Sequence, residues 1–167
     1  MKKFTFAIDI DAAVETVYAC MLGLNDKSTY EQWTALFNPT SSYLGDWSEG
    51  SKMQFVGVDE NGDTGGVVSR IVKNMPNAFV SIQHYGLVQA GKEILEGPEV
   101  EQWANGFENY SFTAVGDGTR VEVNLDMNDA FEDYMNETYP KALEKLKEYR
   151  FRVRHSLSLR GLSKTYR

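Results

Sequence analysis

Residues 79–86 read FVSIQHYG. Val80 and Ile82 fall on one face of a period-two pattern and Ser81 and Gln83 on the other, as in a strand with one buried side. The same alternation carries His84 onto the apolar face. A buried imidazole must find a partner. It belongs either to a packed core that satisfies it or to the polar end of a pocket, and that choice separates a filled interior from a binding cavity.

The chain has 167 residues, enough for one domain with a real core. Its apolar fraction of 42% and charged fraction of 25% are those of a soluble globular protein. Cys20 is the only cysteine, so no intramolecular disulfide forms. No secretory leader and no bilayer-length apolar run is read, and a reducing cytoplasm is the expected setting. The net charge of −7 is unevenly spread: residues 150–167 carry five arginines, one lysine and no acid, which leaves −13 on the rest. A body that acidic repels nucleic acid and anionic membrane, so neither is an expected partner.

Outward from residues 79–86 the elements fall into order. Phe4, Phe6, Ile8 and Ile10 alternate with polar or small residues as a half-buried strand. Asp11 is placed to cap a helix over 12–22, and Ser28 with Glu31 forms a capping box for a second short helix bearing Tyr30, Trp33 and Phe37. Strands follow at 41–47, 51–58, 65–73 and 79–87, then a polar connection from about Gln89 to Gly106, then strands 107–115 and 119–127 around Gly116-Asp117-Gly118. A last helix begins near Asp129, with Phe131, Tyr134, Met135, Thr138, Ala142, Leu146 and Tyr149 as its stripe, and a kink or short break is expected at Pro140. Helices segregated from a run of antiparallel strands define an α+β fold.

That order resembles the helix-grip fold of the START and birch-pollen-allergen (SRPBCC) superfamily. Six segments narrow the resemblance: IDIDAAVETVYACML (8–22), YEQWTALFNP (30–39), WSEGSKMQFVG (47–57), GGVVSRIVKNMPNAFVSIQHYG (65–86), ENYSFT (108–113) and YPKALEKLK (139–147). Together they are similar to bacterial proteins related to the activator of the heat-shock-protein-90 ATPase. The resemblance implies a curved sheet of about six to seven strands gripping a long C-terminal helix, with two short helices after the first strand. It spans 1–149 as one domain and stops before a basic tail, 150–167. It further implies three possible roles: binding of a small, largely apolar molecule, a chaperone-cofactor interaction module of the stress response, or a cyclase or dehydratase acting on a polyketide-like substrate.

The residues themselves carry no catalytic signature. Gly62, Gly65 and Gly66 precede a strand, not the helix a phosphate loop needs. DENGDTG lacks the calcium-loop spacing. Two histidines and one cysteine make a zinc site improbable, and no metal or cofactor is expected. Residues 79–87 and 107–115 are expected to pair antiparallel, with Ile82 near Phe112, His84 near Tyr110 and Glu108 near Gly86. Polar groups then collect at one end of an apolar face, either satisfied among themselves, or facing a ligand, or, in an enzyme, acting as the acid–base pair His84 and Glu108. Candidate ligand-binding residues are Trp33, Phe55, Arg70, His84, Glu108, Tyr110, Phe112, Met135 and Tyr139. Arg70 is included although a one-residue slip would turn it to solvent, and Trp103 is a candidate lid. The tail alternates apolar and basic residues over 151–160, so a disordered extension, a continued helix and a docked strand all remain open. Self-association through it is one expected partnership.

Overall fold

The computed structural model describes residues 1–102 and 104–164, with side chains through Glu148 apart from Trp103. The N-terminal alternation forms β1 (Lys2–Ile10), followed by α1 (Val14–Leu22) and α2 (Lys27–Thr34). Then come β2 (Ser42–Leu44), β3 (Lys52–Val58), β4 (Thr64–Met75), β5 (Phe79–Gln89), β6 (Lys92–Ile94), α3 (Pro98–Glu101), β7 (Gly106–Val115) and β8 (Gly118–Met127). A 3-10 turn over Asp129–Phe131 leads into α4 (Glu132–Lys164). The caps differ from expectation. Asp11 does not cap α1, whose N-cap is Ala13, and α2 is capped by Asp26, whose carboxylate accepts from Ser28 N at 3.0 Å. Asp26 precedes the helix directly, which leaves Ser28 inside the first turn.

All strands pair antiparallel in one sheet ordered β1-β8-β7-β5-β4-β3-β2, with β6 on the upper part of β5. This is the expected α+β architecture; the eighth strand is β6, which lies in the stretch read from sequence as a polar connection. Its presence also corrects the β5–β7 register. His84 faces Gly106, Ile82 faces Glu108 and Val80 faces Tyr110. Because β6 occupies the end of β5, and Asn105 N bonds His84 O at 2.7 Å, β7 enters at His84 and lies four residues from its expected position. Four is even, so every side chain keeps its face.

Two bulges bend the sheet. Between β4 and β5 the pairs Ser69–His84 and Val68–Gly86 leave Tyr85 as an extra residue, and Ile71–Ile82 and Lys73–Ser81 leave Val72 as another. Past Tyr85 the inward parity of β5 switches from even to odd. Leu87 turns inward opposite Val67, while Gly86 turns outward beneath the β6–α3 segment, where an added Cβ would meet Leu95 Cδ2 at 2.6 Å.

The main core fills one end of the inner face. Phe112, Val121 and Val123 from the sheet meet Val17, Tyr18 and Met21 of α1 and Ala142, Leu143 and Leu146 of α4. α4 runs continuously through Pro140. Phe131 and Tyr134 of its expected apolar stripe are about half exposed, and Tyr139 and Leu143 are buried instead. The helix continues from Glu148 to Lys164, so the strand-like alternation of the tail does not produce a strand there. The side chains of residues 149–167, and Trp103, lie outside the described residues.

The last buried residue described on α4 is Leu146. A chain cut after Tyr149 is therefore expected to unfold cooperatively, within about 0.5 kcal/mol of the full chain in urea titration. Loss of the cooperative transition would place the tail in the core.

Candidate functional site: an aromatic cavity ending at Glu108

At the other end of the inner face, α2, the start of α4 and the sheet line a cavity of about 540 Å³. α2 and the turn after it supply Tyr30, Trp33 and Phe37. Phe55, Val67 and Leu87 come from β3, β4 and β5, Glu108 and Tyr110 from β7, and Met135 and Tyr139 from α4. The walls are thin where β3 meets β4, because Gly57, Gly65 and Gly66 present bare backbone. Gly66 has a φ of +151°, and a Cβ there would collide with the carbonyl of Phe55. Phe131 and Tyr134, 46% and 45% exposed, mark the open end.

The buried end is polar and closed on itself. Ser69 Oγ lies 2.6 Å from His84 Nδ1, and His84 Nε2 lies 3.0 Å from Glu108 Oε1. The Tyr139 hydroxyl donates to Glu108 Oε2. An ionised carboxylate only accepts, so with Glu108 ionised the proton of the His84–Glu108 bond sits on Nε2. In neutral imidazole Nδ1 is then the acceptor, and Ser69 donates to it. His84 and Glu108 are diagonal neighbours across β5 and β7, two residues off direct pairing, on the same face. Bonds of this charge-assisted kind are worth about 1.5–3 kcal/mol each.

Aromatic packing fixes the donor from α4. The Tyr139 ring stacks on Phe6 of β1 at 5.0 Å and 10° and meets Phe37 edge-on at 5.1 Å. Trp33 packs on Tyr110 at 6.2 Å and ties its Nε1 to Met21 O at 2.9 Å. Phe55 meets the His84 ring edge-on at 6.2 Å. Burial pushes the phenols of Tyr110 and Tyr139 well above their ordinary 10.0, and the negative charge of Glu108 pushes them further. The same two causes, in the same order, raise Tyr30.

Of the residues singled out in the sequence, Trp33, Phe55, His84, Glu108, Tyr110, Met135 and Tyr139 meet around one cavity. Arg70 does not. Its neighbour Ile71 takes the inward position, and the Arg70 guanidinium lies on the outer face, 5.3 Å from the Tyr85 ring. Phe112 faces inward but belongs to the packed end, edge-on to Tyr18 at 5.4 Å. Ser69, Tyr30, Phe37 and Leu87 were not singled out. Tyr30 and Phe37 lay on the aromatic face already read for α2, whereas Leu87 needed the bulge. Ser69 is fully buried and does not reach the cavity wall, so it orients the imidazole and offers no hydroxyl to the interior. Among the described residues no three metal-ligating side chains converge, and no helix is long and apolar enough to cross a membrane.

No family model matches the chain, and no curated protein matches it in sequence. Solved structures do. Protein MLL2253 from Mesorhizobium loti is similar at 12% identity over 90% of this chain and 98% of its own, with a TM-score of 0.67. The Aha1 dimer from Colwellia psychrerythraea is similar at 20% identity over 89% and 95%, TM-score 0.60. CalU16 from Micromonospora echinospora is similar at 16% identity over 88% and 74%, TM-score 0.59. The chain has the helix-grip fold. At these identities the likeness is one of fold, and the helix gripped by the sheet is α4.

The three buried phenols give the site a pH signature. The unfolded chain releases these protons near 10.0, while the folded chain holds them higher. Their contribution to stability is complete below the unfolded value and is lost as pH rises through the folded ones. Ultraviolet difference titration is expected to show the nine tyrosines in two classes, with Tyr30, Tyr110 and Tyr139 ionising only as the chain unfolds. Titration of all nine in one reversible step near the ordinary value would contradict the burial described.

Proposed function

We propose that this protein binds a small, largely apolar molecule in the cavity between sheet and α4. Trp33, Phe55, Tyr110 and Met135 serve as walls in this reading, and His84, Glu108 and Tyr139 as the polar end. The cavity itself carries the proposal. Its volume of about 540 Å³ lies within the roughly 300–1,000 Å³ of small-molecule sites, and its lining is the mostly apolar surface with a few placed polar groups that such sites use. An interaction module working only through its outer surface gains nothing from leaving this end unpacked, since unfilled interior forfeits dispersion contacts. Acid–base chemistry has weaker support. Both nitrogens of His84 are engaged by Ser69 and Glu108, so the imidazole has neither a lone pair nor a proton free for a substrate.

A neutral apolar fluorophore, N-phenyl-1-naphthylamine, tests the reading. Its emission is expected to rise and saturate with the native protein. Val67→Trp, which fills the middle of the cavity from β4, is expected to weaken binding by at least about tenfold while thermal unfolding stays close to that of the native chain. Equal affinity in a folded Val67→Trp protein would remove the cavity as the binding place.

A further inference from the structure

The hydrogen-bond direction at the buried end constrains which ligand fits, given the reading that the cavity is a binding site. Several donors facing this space are already spent within the protein, while the hydroxyls of Tyr30, Ser41 and Tyr110 also line it. His84 Nε2 and the Tyr139 hydroxyl both point at Glu108, and the Trp33 indole points at Met21 O. Nearer the open end, the Asn38 amide donates to Val58 O at 3.1 Å and the Tyr134 hydroxyl to Phe37 O at 3.3 Å. What remains at Glu108 itself is accepting capacity. Each oxygen of Glu108 takes one of these bonds, and a carboxylate offers about four lone-pair sites.

The charge points the same way. Glu108, Asp59 and Asp126 all line the cavity, and no lysine or arginine does. Asp59 accepts from Asn61 N at 2.8 Å and Asp63 N at 2.9 Å, and Asp126 from Phe107 N at 3.2 Å. Lys3 Nζ approaches Asp126 at 3.5 Å, but this amine is 89% exposed. The rings of Tyr30, Trp33, Phe37, Tyr110 and Tyr139 complete the surround. Aromatic faces attract a cation through the ring quadrupole, the more so where water is excluded.

We infer that the cavity selects an apolar molecule carrying a cationic nitrogen, such as an arylalkyl or alkyl ammonium, and rejects apolar carboxylates. The ammonium supplies the donors that Glu108 still accepts and the charge that an acidic, aromatic interior stabilises. A carboxylate would meet the negative charge of Glu108, Asp59 and Asp126 with no lysine or arginine in the lining to offset it.

A matched series separates this inference from the binding reading beneath it. 1-Naphthylmethylamine, 1-naphthalenemethanol and 1-naphthoic acid share one apolar body and differ in head group. Titration calorimetry of the full chain at neutral pH is expected to rank the amine first, the alcohol second and the acid last, with amine over acid by at least about tenfold. Glu108→Gln is expected to bring the amine down to the level of the alcohol measured on the same variant. An amine preference that survives in folded Glu108→Gln belongs to the acidic exterior and overturns the inference. If that variant does not fold, the ranking on the native protein decides: an acid that binds as tightly as the amine overturns it. Binding of the alcohol without preference for the amine removes the charge selection alone, whereas failure of all three removes the binding cavity as well.

Discussion

A carboxylate placed among aromatic rings must be given donors, and the position of Glu108 imposes that demand on the whole molecule. Its donors come from separate elements, His84 on β5 and Tyr139 on α4, and His84 is itself held by Ser69 on β4. Removing one partner of such a buried group costs more than the bond is worth, because the other is left unsatisfied. Three strands and the long helix are thereby fixed relative to one another at one point. The rotation of α4 about its axis follows, since the Tyr139 ring can hold that hydroxyl at Glu108 only while stacked on Phe6 and braced by Phe37.

The same point divides the interior. On one side α1 and the later turns of α4 close onto Phe112, Val121 and Val123 as an ordinary packed core. On the other, the bulge at Tyr85 and the glycines of β3 and β4 bend the sheet and thin its wall, and α2 and the start of α4 meet it around the cavity through Trp33 on Tyr110 and Tyr139 on Phe6. The cavity is what a curved sheet leaves when one end of its helix is packed and the other meets it at a satisfied polar cluster. The imidazole in FVSIQHYG belongs to both alternatives the sequence posed: it is internally satisfied, and it faces an open interior.

Parity was the most readable feature. Alternation placed His84, Glu108 and Tyr110 on one inner face, and an error of four residues in the β5–β7 register left that result intact because four is even. What alternation cannot show is where it breaks. The Tyr85 bulge reverses the face of β5, so Leu87 joins the cavity against its apparent parity. At Arg70 the ambiguity was a single residue, and the buried Ile71 resolves it outward. Phe112 illustrates a different limit: period two gives the face of a strand but not the distance along it, and the packed and open ends look alike in sequence. The donor from α4 was visible as an aromatic residue near the helical stripe. The bond it makes depends on a helix azimuth that the stripe defines only to within a residue.

The direction of the bond between His84 and Glu108 underlies this account, since it sets Glu108 as an acceptor with negative charge facing the cavity. Long-range proton–nitrogen correlation NMR of the imidazoles reads it directly, His155 being the only other histidine. A proton on Nε2 of His84 is predicted, with Nδ1 accepting from Ser69 when the ring is neutral. A bare Nε2 would mean that Glu108 holds the proton and donates, leaving the cavity without its charge and contradicting the account.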